Sequence, residues 1–250
     1  MGKSLVFANQ KGGVGKTTTA VNLGAALAKM GKSVLLVDFD PQANTTSSLG
    51  LVGGSGIYEV ISGREKAQAA VRRTSQAGLD VLPASIDLTG ATVELVGQEG
   101  REYFLKRALE PVSGLYDYVF IDCPPSLGVL TLNGLVAAQG VIIPLQCEYF
   151  ALEGLRMLLS TIGKVQAGPN PALRIAGILF TMYDARTRLA NEVVQQVTRY
   201  FREKVFRTII PRNVRLAEAP SYGKSILEYD PDCIGALSYR KLAEEVIDHV

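Results

Sequence analysis

The residues with the clearest chemical potential lie near the amino terminus, in the run Gln10-Lys-Gly-Gly-Val-Gly-Lys-Thr-Thr-Thr19. Gly12, Gly13 and Gly15 can take backbone angles closed to other residues, so main-chain N–H groups can converge on an anion. Lys16 supplies a charge that reaches β- and γ-phosphates, and Thr17 a hydroxyl that ligates Mg²⁺. The apolar run Leu5–Ala8 before them reads as a buried strand. After them, Leu23, Leu27 and Met30 recur at helical spacing. Strand, glycine turn and helix in that order predict a phosphate-binding loop, with the helix adding its positive end. A dinucleotide site would need a third glycine where Thr18 stands.

Three carboxylates accompany this loop. Ser33–Asp38 reads as a second strand that ends in an acid, and Asp40 follows two residues later. Pro41 disfavours helical geometry at Asp40 and sets a rigid turn. Asp117–Asp122 is a continuous buried strand ending in Asp122, the arrangement in which a carboxylate holds Mg²⁺ through water. The guanine signature Asn-Lys-x-Asp does not occur, which favours ATP over GTP. With His249 as the one histidine, at the penultimate position, histidine-based catalysis is excluded. Cys123, Cys147 and Cys233 are odd in number and lack metal spacing; they read as reduced residues, the first two filling core.

Strands and helices alternate along all 250 residues. That alternation predicts an α/β fold in which one domain (1–250) carries a doubly wound, mostly parallel sheet with helices on both faces. Further strands are expected at Leu79–Pro83, Val141–Gln146, Ile175–Tyr183 and Phe206–Ile210. One or two short helices are expected in Ile57–Arg73, and a helical region capped by Asp87 runs, broken at Gly97, to Leu109. Longer helices are expected at Leu152–Gln166, at Arg188–Lys204 with Leu189, Val193, Val197 and Phe201 on one face, and at Ile234–Val250. The stretch Gly50–Gly56, with four glycines, reads as a surface loop. No apolar run is long enough to span a membrane, and no signal peptide is expected.

Net charge is +2, but its distribution is uneven. Residues 1–125 balance at 12 basic and 12 acidic side chains. Between Arg186 and Lys224, nine basic residues face three acidic ones, whereas from Ser225 onward two face six. Such concentration is what a polyanionic partner uses.

The form Lys-Gly-Gly-x-Gly-Lys-Thr, with Lys11 before the double glycine and Gln10 where a glycine is usual, resembles the deviant Walker A loop of the ParA/MinD ATPase superfamily. The resemblance covers nearly the whole chain through Asp38-x-Asp40-Pro-Gln, Asp122-Cys-Pro-Pro-Ser-Leu-Gly128, Pro144-Leu-Gln-Cys-Glu-Tyr-Phe-Ala-Leu-Glu-Gly154 and Pro211-Arg-Asn-Val-Arg-Leu-Ala-Glu-Ala-Pro220. The last two of these look like the compact chromosomal Soj/ParA branch, and the resemblance leads one to expect no amino-terminal DNA-binding extension of the kind that larger plasmid relatives carry.

The resemblance implies an ATPase that is slow alone and is stimulated by a ParB-type partner. It implies ATP sandwiched with Mg²⁺ in a homodimer and binding of double-stranded DNA without sequence preference, in the cytoplasm on the nucleoid. Lys11, Gly12, Gly13, Val14, Gly15, Lys16, Thr17 and Thr18 would cradle the nucleotide, with Lys11 crossing to the partner's site. Pro211 and Asn213 would contact adenine. Asp40 would position the attacking water, with an Asx turn before proline as its plain alternative. Asp38 would support the metal shell or the loop, beside Thr17 and Asp122.

Arg186 and Arg215 fall on positions the family uses for DNA; Arg199, Arg202 and Lys204 also read as a solvated face. The acids in Asp230-Pro-Asp232 stand where relatives often have basic residues, a departure that would weaken or narrow the DNA face. Near Asp40, Ala43, Thr45 and Ser48 stand where the family more commonly has Gly, Ala and Gly, small changes expected to be tolerated. The same sites would serve a cargo-positioning ATPase. A MinD-type membrane-cycling regulator would need a basic carboxy-terminal helix, and this one is acidic. An electron-transfer iron protein would need paired cysteines at a dimer axis.

Overall fold

In a computed structural model, which describes residues 2–52, 54–95 and 97–249, the strands assemble into one sheet. They are β1 (Lys3–Phe7), β2 (Val34–Asp38), β3 (Arg72–Arg73), β4 (Leu79–Leu82), β5 (Tyr118–Asp122), β6 (Gly140–Gln146) and β7 (Arg174–Thr181). Their order is β3-β4-β2-β5-β1-β6-β7, and every pairing is parallel except the short β3 against β4. Side chains alternate between two cores, as the two-residue strand period requires. Val6, Leu35, Val37, Val119 and Ile121 enter one. Leu5, Phe7, Val34, Leu36 and Phe120 enter the other. Both faces are therefore covered by helices, and the central strands β2 and β5 are apolar up to their terminal aspartates.

The first helix, α1 (Lys16–Lys29), lies on the second core and packs along the last helix, Ile234–His249. Tyr239, fully buried there, brings its hydroxyl 3.3 Å from Thr19 Oγ1. The opposite core is roofed by Val129–Ala137, Ala151–Gln166 and Arg188–Phe201, among others. Val129–Ala137 was not legible as a helix. Its residues are apolar on nearly every side, because it lies under other helices and shows no polar stripe.

Other expectations need correction. Phe206–Ile210 is not a strand: only Phe206 and Ile210 donate backbone bonds to β7, to Ile178 and Phe180. The amides of Arg207 and Thr208 between them donate to the Glu245 carboxylate at 2.7 and 3.1 Å, which pulls the segment off the sheet. Asp87 precedes Leu88–Glu94 but makes no side-chain cap; its carboxylate accepts from Ser85 instead. Leu189 is 42% exposed, and Ala190 takes the inward position of that helix turn. Arg72–Arg73, expected within a helical stretch, extends the sheet edge. Within the glycine-rich loop, residue 53 lies outside the described residues, as does Val250 at the end of the last helix.

Close approach of Val129–Ala137 to the sheet depends on Gly134. A Cβ there would stand 2.5 Å from Cys123 Sγ and 3.1 Å from Val6 Cγ2, one residue from the carboxylate at the end of β5. Gly134→Ala is expected to cost about 1–3 kcal/mol through overpacking. Denaturant unfolding measures it, and an unchanged midpoint would mean that the helix lifts without cost.

Candidate nucleotide site and basic rim

All the motif residues converge at the carboxyl ends of the central parallel strands, where open α/β sheets hold ligands. Between β1 and α1 the loop turns through Gly13 at φ 71° and Gly15 at φ 84°, left-handed angles that glycine adopts without strain. Gly15 is the N-cap of α1 and makes no side-chain cap, so the first amides of the helix remain available to an anion. Two clamps hold the loop. Asn9 is buried, donates to Pro144 O at 2.8 Å and accepts from Lys11 N at 3.1 Å. Thr181, at the end of β7, donates to Val14 O at 2.8 Å.

Lys16 is 6% exposed and its amine donates to Lys11 O at 3.2 Å, curling the side chain over the loop. Burial lowers its pKa, opposed by the negative charges of Asp122 and Asp40 and by Cys123. Lys11 pairs with Glu148 of its own chain, both side chains being about half exposed. Tyr149 and Phe150 follow Glu148, 78% and 64% exposed, in an edge-to-face pair.

Asp38 and Asp122 are paired in register at adjacent strand ends and are almost wholly buried. Asp122 Oδ2 accepts from Thr17 Oγ1 at 2.6 Å and from Thr45 Oγ1 at 2.8 Å. Its Oδ1 is buried with no hydrogen-bond partner. Burial pushes its pKa up to about 6, against the two threonine bonds and Lys16, which pull it down. Of the two roles that the sequence leaves open for Asp38, its bonds serve the loop. Oδ2 accepts from Thr46 N at 2.8 Å and Thr46 Oγ1 at 2.7 Å, and Oδ1 from Asp40 N at 3.3 Å. Burial, then the charge of Asp122, raises its pKa to about 7. Asp40 is 6% exposed, and its Oδ1 accepts from Gln42 N at 2.9 Å in the turn made by Pro41.

The donor set suits a small hard cation. The unpartnered Asp122 oxygen and the Thr17 hydroxyl lie beside an anion-binding loop, and Mg²⁺ takes one or two carboxylates together with phosphate oxygens. Thr45, Thr46, Glu148 and Thr181 are site residues that the sequence reading missed. The hydroxyls at 45 and 46, following an Asp-x-Asp-Pro turn, are the signal that was available.

On the far side, Tyr183 and Pro211 form an isolated parallel bridge just beyond β7, which brings the Pro211–Asn213 segment beside the strand that clamps the loop. Asn213 caps the helix Val214–Glu218, its Oδ1 accepting from Leu216 N at 3.3 Å. The same bridge ties together the segments carrying Arg186 and Arg215. Arg186 forks onto Asp184 at 2.9 and 2.6 Å. Arg215 donates to Glu218 at 2.9 Å and lies 3.4 Å from Asp230.

Comparison with known proteins accords with this geometry. A family model described as an AAA domain matches residues 2–175. The chain is 62% identical to the chromosome-partitioning ATPase Soj of Treponema pallidum over 99% of this chain and 98% of that one. The chain belongs to the Soj/ParA family of chromosome-partitioning ATPases. It is also 55% identical to the sporulation initiation inhibitor protein Soj of Bacillus subtilis, over 98% of each chain. A solved structure of a Mycobacterium smegmatis protein, named as a cobyrinic acid a,c-diamide synthase with bound ADP and magnesium, covers 100% of this Soj/ParA chain and 95% of its own. That match has TM-score 0.88 and 44% identity.

The raised pKa of Asp38 has a consequence for stability. A carboxyl whose folded pKa, about 7, exceeds its ordinary 3.8 favours the folded state most fully below about pH 4, and that contribution is lost as pH rises through 7. Measured against Asp38→Asn, which lacks the titration, the urea midpoint of the nucleotide-free wild type is expected to fall between pH 5 and pH 8. A difference that ignores pH would mean that the carboxyl titrates in its ordinary range.

Proposed function

We propose that this chain is a dimerising switch in which bound ATP and Mg²⁺ create a DNA-binding species and hydrolysis dissolves it. The observation that carries this reading is the buried, unpartnered oxygen of Asp122 beside Thr17, at the mouth of a glycine loop with two lysines. Gly12 to Thr18 would receive the phosphates on backbone amides, with Lys16 balancing their charge in a setting where burial strengthens it. Thr17 and Asp122 would hold Mg²⁺, which neutralises charge developing on the phosphate oxygens. Asp40, on a rigid turn, would orient water. Phosphoryl transfer asks mainly for position, so a carboxylate that is a weak base suffices. Pro211 and Asn213 would border the adenine.

Dimerisation would need Lys11 to leave Glu148 and enter the partner's site. The pair is half exposed and therefore weak, and the exposed Tyr149–Phe150 pair beside it offers apolar surface to a second copy. A ParB-type partner would stimulate hydrolysis. The smegmatis protein is named for amide synthesis, whereas the groups gathered here bind phosphate and a cation. A membrane-cycling role finds less support. The last helix spends Ala236, Tyr239, Leu242, Ala243 and Val246 on the core.

Lys16→Ala is expected to abolish ATP binding in calorimetry, while Asp40→Ala keeps ATP and accumulates dimer in sedimentation. An unchanged ATP dissociation constant in the first, or wild-type hydrolysis in the second, would contradict the assigned roles.

The basic rim would grip phosphates without reading bases, with affinity drawn from counterion release. Arg186→Glu and Arg215→Glu are each expected to remove ATP-dependent duplex binding and leave dimerisation intact. Asp230→Asn, which relieves Arg215 of one carboxylate, is expected to tighten binding by about threefold, as for an exposed pair. Salt titrations with and without ATP measure all three. DNA affinity indifferent to ATP, or surviving both reversals, would move the binding surface elsewhere.

A further inference from the structure

The loop that carries Asp40 is anchored at two points, and one of them is the metal carboxylate itself. Thr46 fastens the loop to β2 through Asp38, and its hydroxyl also accepts from Ala84 N at 3.1 Å. Thr45, one residue earlier, turns the other way. It is fully buried, and its hydroxyl donates to Asp122 Oδ2 at 2.8 Å, the same oxygen that receives Thr17 at 2.6 Å. The other oxygen of Asp122 has no partner. The loop reaches this position at some cost, because Ala43 precedes Thr45 at φ 53°, a left-handed angle that alanine rarely adopts. One carboxylate thus joins the first turn of α1, through Thr17, to the loop bearing Asp40, through Thr45.

We propose that Thr45 is a positioning residue that ties the Asp40 loop to Asp122, so that filling the metal site and setting Asp40 become a single event. The inference rests on the ATP–Mg²⁺ reading of the site. A hydrogen bond to an ionised, buried acceptor is among the stronger ones, and losing it leaves Asp122 Oδ2 with one donor fewer. Thr46 would still hold the loop on the sheet, so the loop would stay folded while its register to Asp122 loosened.

The test compares wild type with Thr45→Val, which keeps the volume, Thr45→Ala, and Thr45→Ser, which restores the hydroxyl. Hydrogen exchange is followed with ADP and EDTA, then with ADP and Mg²⁺. In wild type and Thr45→Ser, Mg²⁺ is expected to slow exchange both in residues 10–19 and in residues 42–50. In Thr45→Val the slowing should persist in 10–19 and vanish in 42–50, and Thr45→Ala gives the same reading should the valine variant fail to fold. Turnover should fall about tenfold with KM for ATP within about twofold, as expected when one hydrogen bond to a charged group is lost, and Thr45→Ser should recover it.

Equal slowing at 42–50 in wild type and the hydroxyl-free variants would overturn the proposal, as would a serine variant that behaves like the valine one. If Mg²⁺ leaves residues 10–19 of wild type unchanged, the metal reading fails first and this inference with it.

Discussion

Two carboxylates buried away from solvent govern the arrangement of this molecule. Asp38 and Asp122 stand side by side at the ends of β2 and β5, each no more than 1% exposed. Burying such charges is expensive unless they are hydrogen-bonded and paired. The protein answers with groups taken from two separate segments. Thr17 and the charge of Lys16 come from the first turn of α1, and Thr45 and Thr46 from the turn after β2. Even so both acids titrate above their usual range, and one oxygen of Asp122 has no partner. The deficit is that of a site built around a cation.

The sheet makes this concentration possible. Parallel pairing of β2, β5 and β1 sends three chain segments out at the same edge, carrying Asp38, Asp122 and the glycine loop. Side chains from residues more than a hundred positions apart, such as Thr17 and Asp122, then meet within hydrogen-bond distance. Both cores contribute by fixing the strands from either face, and Gly134 lets a helix press against the strand that ends in Asp122. Burial of the acids follows from that packing.

The outer rim is organised by opposite logic. Lys11, Arg186 and Arg215 each lie on an acid of the same chain, in pairs that are largely exposed. Pairs of this kind contribute little to stability and are screened by salt, so little free energy holds these three side chains where they lie. They also lower the apparent charge of the face. The nine basic residues between Arg186 and Lys224 overstate the field that a polyanion would meet, because Asp184, Glu218 and Asp230 pair with two of them, Arg186 and Arg215.

The amino-acid order by itself determined the phosphate loop, the parallel α/β sheet and the carboxylates at strand ends. These depend on local signals: glycine angles, apolar runs of strand length, and acids that terminate them. The resemblance to the family marked Asp230 as a departure, and the fold makes it a partner of Arg215. Tertiary structure alone decided the rest. Val129–Ala137 is a helix because neighbours cover its apolar sides, and 206–210 leaves the sheet because Glu245, far along the chain, captures its amides. Lys11 rests on Glu148, and Thr45 reaches Asp122 across 77 positions, because strand order brings distant loops to one edge. No local pattern encodes such meetings, since a hydroxyl or a carboxylate acquires its role only from what the fold sets opposite it.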